Sequence, residues 1–150
     1  MPTEEFVMRG KTASGGTEVL NFGSKHGYAF RIIEFSLFPT TNVGNVNHEM
    51  MGTVTAGKTA ITPIAPDFSD EGLIASSVFN SPSSIGSTGW HNSVINDTFL
   101  ITQNLIIMVQ DTSGTEPENP INWQCRFKPV KLNEAEQANA NLRQFHIFDD

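Results

Sequence analysis

Apolar residues along this chain come in short runs, and two of those runs contrast. Leu105–Val109 (LIIMV) is apolar at consecutive positions, whereas Ile121–Val130 (INWQCRFKPV) alternates between apolar and polar residues. Successive side chains of a strand point to opposite faces. The first run therefore predicts a central strand covered on both faces. The second predicts a partner burying Ile121, Trp123, Cys125 and Phe127, with Asn122, Gln124, Arg126 and Lys128 offered to water or a neighbour. Taken together they read as the two arms of one hairpin. The acidic, Pro-punctuated connection TSGTEPENP is too long for a tight turn.

The same reading places strands near Phe6–Lys11, Thr17–Asn21, Tyr28–Phe38, His48–Thr55, Thr59–Ile64, Leu73–Phe79 and Thr98–Thr102. Turn-rich stretches such as SPSSIGSTG separate them, and that spacing is the signature of a sandwich or barrel. In Tyr28–Phe38 the apolar phase slips: Tyr28, Phe30 and Ile32 share one face, then Ile33, Phe35 and Leu37 continue it. A β-bulge produces such a slip, and so does burial of both faces. Near the C-terminus Asn133 is placed to cap a helix, and Glu136 to return the bond. Leu132, Ala135, Ala138, Leu142 and Phe145 then form an apolar stripe, to be buried on the chain's own sandwich or on a neighbouring copy.

The expected fold is all-β: an antiparallel two-sheet sandwich, jelly-roll-like, with one short C-terminal helix. It is expected to form a single domain over residues 1–150, with extended terminal segments about 1–16 and 131–150. In two layers, the second cover over Leu105–Val109 has to be the terminal helix, a long loop or another protomer. Burial on both faces thus points towards a homo-oligomer or a docking surface.

Composition sharpens this. Charged residues make up 17% of the 150, against a usual value of about 25%, and Thr, Asn and Ser supply the polarity instead. Neutral polar residues suit strands, and surfaces that another subunit covers. The formal net charge is −7, and the basic residues are scattered along the sequence without a stripe. That argues against direct nucleic-acid binding, which needs a basic footprint. The start of the chain has neither a basic nor an apolar leader region, and no run of about 18 apolar residues occurs. Synthesis in a reducing cytoplasm, with no membrane partner, is the expectation, and the single Cys125 agrees with it.

Candidate chemistry is thin. Gly52, Gly57, Lys58 and Thr59 match the phosphate-loop pattern G-x-x-x-x-G-K-[ST], and LIIMVQD resembles the apolar strand with a terminal acid that accompanies such loops. A phosphate loop must open a helix, however, and Pro63 and Pro66 forbid one. TVTAGKTAIT reads better as two short strands turning at Ala56-Gly57. His26, His48, His91 and His146 show no ligand spacing, and no serine has a histidine at a familiar distance. DFSDEG (67–72) clusters carboxylates but lacks the alternating ligands of a calcium loop. Cys125 reads as a core residue. Asn96-Asp97-Thr98 matches a glycosylation acceptor, which carries little weight without a leader. No catalytic, cofactor-binding or metal-binding residue is nominated, and no cofactor is expected.

Three stretches carry a family resemblance: SPSSIGSTGWHNSVINDTFLITQNLIIMVQDTSG, the INWQCRFKPVKL strand leading into the last helix, and the terminal RQFHIFDD. In style they resemble the small jelly-roll virion proteins of viruses, phages in particular, of the minor capsid, vertex and capsid-decorating types. The resemblance implies a symmetric shell component that contacts other capsid proteins through large interfaces and performs no chemistry. No strongly basic N-terminal arm is present, which places such a component away from packaged genome. The alternative is a carbohydrate-binding β-sandwich module, with Trp90, Trp123 and Tyr28 as candidate stacking platforms.

Overall fold

The computed structural model describes residues 4–22, 27–40, 47–81, 90–113 and 120–149, the side chains of 144–146, 148 and 149 excepted. Among them are eight strands and a helix: β1 (Phe6–Thr12), β2 (Thr17–Leu20), β3 (Tyr28–Pro39), β4 (His48–Thr55), β5 (Leu73–Ser81), β6 (Trp90–Ile95), β7 (Leu105–Asp111), β8 (Ile121–Lys131) and α1 (Glu134–Asp149). All pairings are antiparallel. They build a small sheet, β1-β8-β3, and a large one, β2-β7-β4-β5-β6.

The pairing nests. The first strand pairs with the last, the second with the seventh, and the fourth with the fifth. The remaining couple, β3 and β6, meets at a corner of the sandwich, where Ser93 Oγ donates to the Phe35 carbonyl at 2.7 Å. This is an antiparallel ribbon rolled on itself, the jelly roll, with β6 laddered to β5 and tied to β3 by a side chain. The expected two-sheet sandwich with one C-terminal helix is the fold observed.

The expected hairpin is not. β7 and β8 follow one another in sequence but lie in different sheets, β7 between β2 and β4, and β8 between β1 and β3. Alternation reports which residues are buried, whereas partners are set by the roll. β8 buries the anticipated Ile121, Trp123, Cys125 and Phe127, whereas β7 buries Leu105, Ile107 and Val109 on one face only, short of the burial on both faces expected of it. The outer cover for β4 is a long loop, while Ile106 and Met108 on the outer face of β7 are half-buried. Residues 56–72 fold over the large sheet, where Thr53 Oγ1 donates to the Ile61 carbonyl at 2.6 Å and the Ile61 amide donates to Thr55 Oγ1 at 3.2 Å.

Those hydroxyl bonds replace a backbone ladder, so the strand expected at Thr59–Ile64 does not form. The one expected at Thr98–Thr102 reduces to a single bridge, Ile101 with Phe30, closed by bonds of 2.8 and 2.9 Å. The edge strand β6 carries no apolar alternation, since WHNSVI places the polar His91 and Ser93 on its inward face. In β3 the phase slip is a bulge: Ile32 faces Phe127, Glu34 faces Arg126, and Ile33 is the extra residue.

One core joins the layers, with Phe35, Phe99, Phe127, Ile32, Met50 and Ile107 among its buried members. At one end Phe6, Phe22, Phe30 and Phe127 form a ring cluster with centroids 4.9–6.4 Å apart. Gly10 lies under the Trp123 ring, since a Cβ there would stand 2.7 Å from Cζ2. The buried indole N–H donates to Thr12 Oγ1 at 2.9 Å.

The capping box of α1 is present in both directions: Glu136 N donates to Asn133 Oδ1 (2.8 Å) and Asn133 N to Glu136 Oε1 (3.2 Å). Its buried face differs from the expected stripe. Gln137 and Ala140 are buried, while Ala135, Ala138 and Leu142 are exposed; the Phe145 side chain lies outside the described residues. Alanines offer little area to bury, so the docking face is set by other contacts. Gln137 Oε1 accepts the amide of Gly27, a residue at φ +87°, and Ala140 packs with Ala29 and Leu132.

Candidate interaction surfaces

The residues of the phosphate-loop match do not form one site. Gly52 sits mid-strand on the inner face of β4, where an added Cβ would meet Phe35 Cζ at 3.1 Å. Gly57, Lys58 and Thr59 line a hollow of about 420 Å3 beyond the end of β4, opposite Asp70 and Glu71. No helix follows them, and two carboxylates across the hollow repel a phosphate. Asp111, the acid ending LIIMVQD, pairs in register with Met50 at the far end of β4. Its Oδ1 accepts the amides of Glu49 (3.2 Å) and Ser113 (2.9 Å), and Oδ2 stands 3.5 Å from Nδ1 of fully buried His48. That acid ties strand ends together.

The remaining candidates have local roles. In the 67–72 loop, Asp67 Oδ1 accepts both the amide and the hydroxyl of Ser69, and these bonds hold its carboxyl below the ordinary value. Asp70 Oδ1 accepts the Gly72 amide. Asn96 Oδ1 accepts Thr98 N and Oγ1 at 3.2 and 2.7 Å. Cys125 is wholly buried, and burial pushes its thiol far up. Among the described residues no group of three or more His, Cys, Asp or Glu is placed to hold a metal. Nor is any helix of them long and apolar enough to cross a membrane. His26 and the His146 side chain lie outside the described residues.

Sequence spacing did not reveal one cluster. Ser77 and Ser93 are cross-strand partners on β5 and β6, with Oγ atoms 2.9 Å apart, and His91 Nε2 lies 3.1 and 3.2 Å from them. A nucleophile beside a base is the start of acyl-transfer geometry. Here Ser93 spends its proton on the Phe35 carbonyl, and Ser77 is 1% exposed. The cluster ties β6 to β5 and, through Ser93, to β3.

The two outer faces of the sandwich are the exposed features of consequence. On the small sheet, alternation turns Arg9 and Lys11 of β1, Arg31 of β3, and Arg126 and Lys128 of β8 outward, with the carboxylate of Glu34 among them. Arg9 hydrogen-bonds Gln124, and Arg126 Nε stands 3.4 Å from Glu34 Oε2. Beside them Phe38, 62% exposed, borders a groove of about 750 Å3 that Arg9, Lys11, Asn122 and Gln124 also line. Five of the nine basic residues thus converge on one face, although they are scattered in sequence.

The outer face of the large sheet is different. Phe68 of the loop and Val94 of β6 flank a depression of about 150 Å3, and Trp90, 54% exposed, lies further along the same face of β6 beyond Asn92. The same loop exposes Asp67, Asp70, Glu71 and Ile64, and Asp70 and Glu71 line the hollow that Lys58 shares. Of the candidate platforms, Trp90 is accessible, Trp123 is core and Tyr28 is half-buried. No protein-family model matches the chain, and no curated protein matches it either.

Proposed function

We propose that this chain is a structural component of a virion, a capsid-associated protein that self-assembles and docks on a viral shell without catalysing a reaction. It would be made in host cytoplasm and reside in the particle, in contact with copies of itself and other capsid proteins. The jelly roll hosts capsid domains and also lectins, so the fold alone does not choose between them. The observation that carries the reading is that both outer faces present large apolar side chains to solvent. Phe38 and Val7 do so on one face, and Phe68, Val94 and Trp90 on the other. A two-sided block of this kind has surface to bury in both directions.

The test combines the solution mass of the purified protein with electron microscopy of its assemblies. Rings, pentamers, shells or binding to preformed shells are expected; a monomer at every concentration that binds no shell overturns the reading. A second reading, a carbohydrate-binding module, rests on the exposed indole of Trp90. It requires Trp90→Ala to abolish glycan retention with the fold intact, and unchanged retention removes it.

A further inference from the structure

Cations converge on one face of this molecule. The outer face of the small sheet carries five cations and one carboxylate in a chain of formal net charge −7, so the remaining surface is more acidic than that total. The acidic counterpart, Asp67, Asp70 and Glu71, is exposed on the loop that folds over β4 of the large sheet, where Lys58 is the one cation lining the hollow with Asp70 and Glu71. Each charged patch contains exposed apolar side chains, Phe38 and Val7 in the basic one, Phe68 and Ile64 in the acidic one. The two patches are complementary in sign and similar in character, and they belong to different layers of the sandwich.

We infer that the basic face of β1-β8-β3 docks on the loop-covered acidic face of a second copy of this chain, head to tail. Two basic faces meeting about a two-fold axis would oppose like charges, which costs several kcal/mol. A contact between different faces instead repeats from copy to copy, and closes into a ring or runs on as a filament. Phe38 and Phe68 supply the desolvated centre, and the charges set orientation and encounter rate. The inference rests on the self-assembly reading above and adds to it which surfaces meet.

The experiment is sedimentation velocity of the full chain at low salt and near 1 M salt, where the Debye length falls to about 3 Å. Lys11→Glu/Lys128→Glu and, separately, Glu71→Lys are run beside it, with circular dichroism confirming the fold of each. Self-association of the parent chain should weaken at least tenfold in high salt and in either variant alone, and an equimolar mixture of the two variants should recover it. Recovery on mixing cannot arise from misfolding. Association indifferent to salt and to both variants overturns this interface while leaving self-assembly standing. A parent chain that stays monomeric under all conditions overturns both. Retention of a single-stranded oligonucleotide by the parent, lost in Lys11→Glu/Lys128→Glu and without self-association, assigns the face to nucleic acid and overturns the proposal.

Discussion

At Gly10 the backbone passes beneath the Trp123 ring with no room for a methyl group. Gly10→Ala should therefore cost about 1–3 kcal/mol through overpacking, read as a lower urea midpoint at unchanged slope. Cys125 is buried with its thiol pushed far up, and the thiolate is the reactive species. A thiol reagent should leave it untouched in the native protein and label it once urea unfolds the chain; native labelling at a comparable rate would contradict its place in the core. Asp67 is held low by the two bonds from Ser69. Because its folded value is depressed, its contribution is complete above the unfolded-state value and disappears as pH falls through the lowered one. The Asp67 carboxyl, followed by NMR, should titrate below the ordinary 3.8, and Ser69→Ala should move the midpoint up. These three positions also show what sequence can say of a residue. Cys125 followed from alternation, whereas the pairing of Gly10 with Trp123 joins positions far apart in sequence.

At the scale of elements, most strands announce themselves through apolar periodicity, and the capping box and the phase slip in β3 are readable because both are local. β6 was not readable, since its attachment is tertiary. Its inward Ser93 donates to Phe35 of the opposite sheet and lies 2.9 Å from Ser77. Ser93→Ala should cost about 1 kcal/mol and speed amide hydrogen exchange along β6, while the amides of central β7 keep their protection. Equal acceleration in both strands would mean that β6 is not separately anchored. The docking face of α1 escaped periodicity for a related reason. A side-chain bond from the Gly27 amide to Gln137 and the packing of Ala140 on Ala29 settle it, and both partners lie far from the helix in sequence.

For the whole molecule, one core spans both sheets, so unfolding should be a single cooperative step. In a Trp90→Phe background, fluorescence reports the buried Trp123 alone, and its urea transition should coincide with that followed by circular dichroism; separated transitions would show that the layers unfold independently. The candidate surfaces were half legible. Arg9 with Lys11, and Arg126 with Lys128, are spaced two apart on strands, which already puts each pair on one face. Only the pairing of β1 and β3 with β8 brings them together with Arg31 into a single basic surface. By itself the sequence determined the all-β class, the inward residues of β8, the phase slip in β3 and the helix cap, because each follows from side-chain alternation or from bonds within a few residues. Tertiary structure alone decided that β7 and β8 belong to different sheets, that a loop covers the large sheet, and that scattered charges converge. Those facts depend on contacts between segments distant in the chain, which local patterning does not encode.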